Sequence, residues 1–160
     1  MPIRPSTPAD HEAIWAILEP VFSAGESYAI DPDISREDAL DYWLGTDRES
    51  FVFEQDGAVL GIYYLRTNAG GGGSHVCNCG YITAPAAAGR GIARRMCLHS
   101  LDHARARGYR AMQFNFVVAT NARAIDLWQT LGFATVGTLP GAFNHPRHGM
   151  VDALVMYQSL

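Results

Sequence analysis

Ala84-Pro85-Ala86-Ala87-Ala88-Gly89-Arg90-Gly91-Ile92-Ala93-Arg94-Arg95 lies just past the middle of the chain, between an apolar strand-like run and a long helix-like run. Two glycines one residue apart let the backbone turn tightly and leave its N–H groups uncovered by side chains. The helix that follows aims its positive end and its unpaired N–H groups into that turn, a setting that favours phosphate or another anion. Arg90, Arg94 and Arg95 crowd cations onto a helix start, where the dipole prefers acids. A bound polyanion reconciles that arrangement; solvated surface arginines and a plain strand-to-helix connection are the alternatives. Two other phosphate loops are excluded. A G-x-G-x-x-G fingerprint fails because Arg94 stands at the third glycine, and a triphosphate loop needs Lys-Ser/Thr where Ile92-Ala93 stands.

Upstream of the turn, Ile3-Arg4-Pro5-Ser6 reads as a short strand and Thr7-Pro8-Ala9-Asp10 as a helix start, with Thr7 or Asp10 as cap. Ile14, Ile17, Leu18, Val21 and Phe22 then recur at helical spacing up to Gly25. After an acidic loop holding Tyr28, Ser35-Arg36-Glu37-Asp38 has the form of a capping box, and Leu40, Trp43 and Leu44 give the second helix its buried face. From Phe51 the period changes to two. Residues 51–54 and 58–65 flank Asp56-Gly57, a strong hairpin signal. Gly70-Gly71-Gly72-Gly73 is a flexible surface connection, and residues 74–83 form the third strand of this sheet.

Downstream, residues 91–107 read as a helix ending at Gly108, 111–118 as a strand, and 122–131 as a short helix capped by Thr120-Asn121. Strands at 134–139 and 151–158 follow, with 140–149 between them as a long loop rich in rings. The order is βααβββαβαββ: an α/β sandwich on a mixed, mostly antiparallel sheet of about seven strands with about four helices. Hairpins early and crossover helices late imply a change of sheet character near the glycine turn, a natural place for a cleft.

The chain of 160 residues is 48% hydrophobic and 18% charged, which fits one globular domain and excludes a disordered chain. A net charge of −4 offers no global field for nucleic acid or anionic membrane. No run approaches a membrane span, and Met1-Pro2-Ile3-Arg4-Pro5 lacks the apolar core of a signal peptide. Three cysteines, Cys77, Cys79 and Cys97, form no second cluster, so a reduced, cytoplasmic protein is expected. Cys77 and Cys79 at i, i+2 have no matching ligand pair, and His99 and His103 read as helix-face residues, so no metal site is expected.

With these elements in order, the sequence resembles the GNAT superfamily of N-acetyltransferases, which use acetyl-CoA. The family signature Arg/Gln-x-x-Gly-x-Gly/Ala is met by Ala88-Gly89-Arg90-Gly91-Ile92-Ala93 after Gly80-Tyr81-Ile82-Thr83-Ala84-Pro85, with Ala88 in place of the leading Arg/Gln. A second segment, Asn121-Ala122-Arg123-Ala124-Ile125-Asp126-Leu127-Trp128-Gln129-Thr130-Leu131-Gly132-Phe133, is similar to the family's Asn-x-x-Ala-x-x-Leu-Tyr-x-x-x-Gly-Phe run. The resemblance implies an acetyl-CoA site formed by Ile82, Thr83, Gly89, Arg90, Gly91, Ile92, Ala93, Arg94, Asn121 and Trp128. Ile82 and Thr83 hold pantetheine through their backbone, and Asn121 contacts it. Trp128 replaces the family's usual Tyr acid, and its indole N–H has no useful acidity though it still donates a hydrogen bond. Members of the family often pair, which extends the expectation of a homodimer to this chain.

A narrower resemblance, to acetyltransferases of azetidine-2-carboxylate and proline analogues, rests on Ser74-His75-Val76-Cys77-Asn78, on Gln113-Phe114-Asn115-Phe116-Val117-Val118 and on Gly137-Thr138-Leu139-Pro140-Gly141-Ala142-Phe143. It assigns Asn78 and Asn115 to the acceptor site. Each amide lies in an apolar strand, where leaving it unpaired costs about 1–3 kcal/mol; a purely structural amide pairing is the other reading. The strand carries no acid, so His75 is its one titratable candidate with a suitable unperturbed pKa, unless it sits at the strand's exposed beginning. Catalytic roles therefore fall to Asn78, Asn115 and His75, and acceptor-site walls to Tyr28, Tyr63 and Phe143 beside the two asparagines. The expected activity is acetyl transfer from acetyl-CoA to the amine of a small molecule or amino acid, a proline-like amine included, by direct attack on the thioester. Acetylation of a protein or peptide, and a catalytically weak acyl-CoA-binding module, are the competing readings.

Overall fold

In the computed structural model, which describes residues 2–160, the chain runs β1 (Ile3–Pro5), α1 (His11–Ala24), α2 (Arg36–Trp43), β2 (Arg48–Gln55), β3 (Ala58–Thr67), β4 (Val76–Thr83), α3 (Ile92–Ala106), β5 (Ala111–Val118), α4 (Ala122–Thr130), β6 (Ala134–His145) and β7 (Gly149–Ser159). This is the βααβββαβαββ order read from the periodicities. The seven strands form one mixed sheet, β1-β2-β3-β4-β5-β7-β6, and only β4 and β5 run parallel.

Strand alternation divides the core between the two faces of the sheet. Phe51, Phe53, Tyr63, Leu65, Cys77 and Cys79 turn to one side, where Met96, Cys97 and Leu101 of α3 and Trp128 of α4 cover them. Val52, Ile62, Tyr64 and Ile82 turn to the other, against Ile14, Leu18 and Phe22 of α1 and Leu40 and Trp43 of α2. The local signals hold in detail. Asp56 and Gly57 both take positive φ (53° and 77°), the geometry of the expected two-residue hairpin turn. Ser35 Oγ accepts the Asp38 N–H at 3.1 Å to cap α2, and α1 runs through Pro20 to end on Gly25. Asp10 is no simple cap: its buried carboxylate takes the Thr7 N–H at 2.7 Å and both Arg4 terminal nitrogens at 2.9 Å.

Two boundaries differ from the sequence reading. β4 begins at Val76, because Gly71–Gly73 coil into a short 3-10 turn and Ser74-His75 complete it. The expected loop at 140–149 is mostly strand: β6 and β7 pair again at Phe143↔Val151, Asn144↔Met150 and His145↔Gly149. Pro140 cannot donate to the ladder, and the register shift between Leu139 and Phe143 absorbs it while the Gly141 N–H turns to Asp152 Oδ1 at 2.9 Å. The result is a long hairpin whose tip carries Pro146, Arg147 and His148.

Candidate active site

β4 and β5 pair at only two positions, Val76↔Ala111 and Cys77↔Met112. Beyond them the strands part. β3 holds β4 through Thr83, and β7 holds β5 on its far side with a register shift between Phe114 and Val117. The β5-facing edge of β4 from Asn78 to Thr83 therefore has no strand partner. A cleft of about 370 Å³ opens there, walled by β4, β5, the start of α4 and the α1–α2 loop. Backbone N–H and C=O groups without a ladder partner are a standing demand for hydrogen bonds. Tyr28 meets part of it by donating its hydroxyl to the Tyr81 carbonyl at 3.1 Å.

The glycine turn lies at the end of β4. Gly89 and Gly91 take φ of 78° and 74°, a left-handed region that costs any other L-residue roughly 1–2 kcal/mol. Gly91 precedes α3, no side chain caps the helix, and its first turn contains no acid. Among the described residues the N–H groups of Gly89, Arg90 and Gly91 have no protein acceptor. Arg90 reaches only Gln55 Oε1, at 3.4 Å. Arg95 lies over the Phe53 ring at 4.8 Å, committed to packing. Arg123, on α4, brings Nη2 to 3.9 Å from where a Gly89 Cβ would stand. Uncapped amides at a helix N-terminus, ringed by Arg90, Arg94 and Arg123, make an anion cradle continuous with the cleft.

At the other end of the cleft the amides form a chain. Arg66 Nε donates to Asn78 Oδ1 at 3.2 Å, and Asn78 Nδ2 donates to the Gln113 carbonyl at 2.9 Å, bridging β3, β4 and β5 where the ladder stops. Gln113 Nε2 donates to Asn115 Oδ1 at 2.9 Å and Asn115 Nδ2 to Asn68 Oδ1 at 2.7 Å. Tyr28, Tyr42 and Tyr64 line the wall opposite. Burial holds the Tyr28, Tyr64 and Tyr81 hydroxyls above their ordinary pKa, so they are proton donors and not bases at neutral pH. The three cysteines are free and buried. Burial pushes the Cys97 thiol up to about 12 and that of Cys79 well above its usual value, so neither is a nucleophile. No carboxylate and no imidazole lines the cleft, and among the described residues no three His, Cys, Asp or Glu side chains converge as metal ligands.

The cleft thus gathers Asn78, Asn115, Ile82, Thr83, Asn121, Trp128 and Tyr28, and the turn gathers Gly89, Arg90, Gly91, Ile92, Ala93 and Arg94. Asn121 caps α4 with its backbone alone, leaving its half-buried amide free at the cleft wall. Trp128 packs on Tyr81 and Phe114 at 5.1 and 5.2 Å between centroids. Three other expected residues lie elsewhere. His75 is exposed in the turn before β4, its carbonyl taking the Arg110 N–H at 2.8 Å. Tyr63 faces α3, stacked on Phe51 and bonded to His99 Nδ1 at 2.7 Å. Phe143 sits behind the lining, 6.1 Å from Phe116. Tyr42, Tyr64, Arg66 and Arg123 are site residues that sequence reasoning passed over. Tyr64 pairs with Gly80 two residues after Asn78 and so shares that residue's face of the sheet, a register the sequence does not announce.

The hairpin tip reaches the α1–α2 loop outside the cleft lining. Arg147 Nη2 pairs with Glu26 Oε1 at 2.8 Å, tying the β6–β7 turn to the α1–α2 loop. Behind it Phe143 meets the buried His145 edge-on at 6.4 Å, and His148 lies tilted against His145 at 4.6 Å between centroids.

Comparison with known proteins places these features in context. The model of the acetyltransferase (GNAT) family matches residues 11–133. N-acetyltransferase aca1 of Schizosaccharomyces pombe is 29% identical in an alignment 148 positions long that covers 82% of this chain and 71% of that protein. A GCN5-related N-acetyltransferase from Kribbella flavida superposes with a TM-score of 0.94 at 42% identity, over 99% of this chain and 96% of that one. A GNAT superfamily phosphinothricin acetyltransferase from Sinorhizobium meliloti, solved in complex with acetyl-CoA, has a TM-score of 0.85 at 21% identity over 99% and 87% of the two chains; at that identity the likeness is one of fold.

Proposed function

The chain belongs to the acetyltransferase (GNAT) family, and on that premise we propose that, as one domain spanning residues 1–160, it moves an acetyl group from acetyl-CoA to the amine of a small molecule or amino acid. The observation that carries the proposal is the unpaired β4 edge running straight into an uncapped, arginine-ringed helix N-terminus. An extended arm bearing amides finds partners along residues 78–83, and a pyrophosphate finds the N–H groups at 89–93. Arg90, Arg94 and Arg123 supply the countercharge; Asn121 and Trp128 flank the arm. Acetyl-CoA bound there supplies an activated thioester, whose carbonyl the amine attacks as the C–S bond breaks.

The chain's own contribution is placement and polarisation. Backbone N–H groups of the free β4 edge are fixed donors for charge that develops on a carbonyl oxygen beside them. The Asn78–Asn115 amides and the Tyr28–Tyr64 wall align the acceptor. With the Cys79 and Cys97 thiols held protonated by burial, transfer is direct and not through an acyl-cysteine. With no carboxylate or imidazole in the cleft, the amine must arrive neutral or lose its proton to water. Rates therefore rise with pH toward the amine's own pKa.

The cleft of about 370 Å³ suits a small acceptor beside the cofactor arm, which agrees with the resemblance to proline-analogue acetyltransferases. A catalytically weak acyl-CoA-binding module has two observations in its favour, Trp128 at the place of the family's Tyr and the absence of an acid from β4 and the cleft lining. A reducing, cytoplasmic setting suits three free thiols. Homodimerisation would cover the outer edge of β6, where Val136 and Leu139 are exposed; Val136→Glu should then yield a monomer in sedimentation velocity. The test of function is a thiol-release assay with acetyl-CoA and a panel of amines, amino acids and peptides. Release with small amines supports the proposal; acetyl-CoA binding without release across the panel supports the module.

A further inference from the structure

Arg66 is the one formally charged side chain among the residues that line the cleft. It stands on β3 directly opposite Asn78 in the β3–β4 register. Its Nε is occupied by Asn78 Oδ1, which fixes the guanidinium plane against the cleft floor. Asn78 is in turn anchored to the Gln113 carbonyl, and only 5% of its surface is exposed. The support behind the arginine is therefore rigid. Its two terminal nitrogens are not so occupied: among the described residues they meet no acceptor, and Arg66 joins no ion pair, although Arg48, opposite it in the β2–β3 register, pairs with Asp47 at 2.9 Å; Asp47 feels the Arg66 charge only at a distance. A half-buried arginine, oriented by one hydrogen bond and left with an open fork beside a cleft without acids, has the geometry of a carboxylate receptor.

Resting on the acetyltransferase reading and narrowing it, the geometry points to Arg66 as the specificity-determining residue of the acceptor site, binding the carboxylate of an amino acid whose amine is acetylated. The amide chain Gln113–Asn115–Asn68 lies beside the fork and offers further N–H and C=O groups to a zwitterionic acceptor. The same charge works against polyamines and lysine-rich peptides. Their remaining ammonium groups would meet Arg66 with no carboxylate in the cleft to offset it.

The test uses matched pairs in the thiol-release assay: proline against pyrrolidine, and azetidine-2-carboxylate against azetidine. Wild type should favour the carboxylated member of each pair by about 100-fold or more in kcat/KM, expressed mainly in KM. Arg66→Met should collapse that ratio toward one, and Arg66→Lys should restore part of it, since a point charge lacks the two-pronged fit. Calorimetric titration of acetyl-CoA into each variant reports folding and cosubstrate binding independently. A preference for the uncarboxylated amines, or an unchanged ratio in Arg66→Met, overturns the role of Arg66 and leaves the acetyltransferase reading intact. Absence of turnover with every amine overturns the latter instead. The carboxylate role is then read by titrating the same pairs into the CoA-loaded protein: binding of proline but not pyrrolidine, lost in Arg66→Met, upholds it, and equal binding rejects it.

Discussion

Replacing Gly91 by alanine separates strain from ligand binding in the glycine turn. Gly91 sits at φ 74°, ψ 13°, and a Cβ built there meets nothing within 4 Å. The free protein therefore suffers only the left-handed backbone cost, about 1–2 kcal/mol. For a domain of this size each kcal/mol moves Tm by about 2–4 °C, so Tm should fall by roughly 2–8 °C. Binding should suffer separately. The added methyl stands beside the amides assigned to the pyrophosphate, and one charge-assisted hydrogen bond lost is worth about 1.5–3 kcal/mol. That is ~10–150-fold in the Kd for acetyl-CoA. Gly57 supplies the control: its φ is 77°, a Cβ there also meets nothing within 4 Å, and it lies in the β2–β3 turn outside the cleft lining. Gly57→Ala should lower Tm by the same amount and leave the affinity unchanged. Differential scanning fluorimetry and isothermal titration calorimetry on the two variants complete the comparison. An affinity for Gly91→Ala within threefold of wild type, or an equal loss in both variants, would refute the phosphate role of the turn.

Three further outcomes follow from the packing and the ionised groups. A Cβ on Gly80 would stand 2.5 Å from the Tyr64 ring, which is wedged against Trp43 with centroids 4.9 Å apart and cannot retreat freely; Gly80→Ala should cost about 1–3 kcal/mol, read as a lowered Tm in fluorimetry of the ligand-free protein. The Arg4 guanidinium, ahead of the Thr7 contacts, holds the Asp10 carboxyl well below the usual carboxylate range. Its stabilisation is thus complete above the unfolded value of about 3.9 and fades as pH falls below it; Asp10→Asn should cost about 1–3 kcal/mol at pH 7, with the gap from wild type closing below pH 4 in urea titrations. His99 is shifted downward by burial and then by His103, and accepts from the Tyr63 hydroxyl when neutral. The unfolded chain binds its proton first, so stability should drop as pH falls through about 6.5, and His99→Gln should flatten that part of the stability–pH curve.

What was legible in the sequence was what local chemistry dictates. Period-two runs around Phe53 and Tyr63, the Asp56-Gly57 turn and the Ser35 cap each report their own backbone, and the element order follows from them. The glycine turn was legible because left-handed glycines, a missing acid and clustered arginines all occur within a dozen residues. Long-range pairing was not. The cleft exists because β4 and β5 share only two positions, and nothing near Cys77 or Met112 announces that limit. Tyr63 and Tyr64 differ by one residue and so face opposite sides of the sheet; choosing between them requires the register with β4. Arg66 looks like any other strand arginine until its bond to Asn78 and its place in the cleft lining are seen. The ring-rich segment at 140–149 looks like a loop because Pro140 and Gly141 break the pattern, yet cross-strand pairing resumes three residues later.

The central claim is that one continuous feature, the unpaired edge of β4 and the turn after it, holds acetyl-CoA. A crystal structure of the protein with CoA tests it most directly. The account predicts the pantetheine arm between β4 and β5 along residues 78–83, the pyrophosphate within hydrogen-bond distance of the N–H groups at 89–93, and Arg123 beside it. CoA bound elsewhere, or phosphates that touch none of those amides, would contradict it.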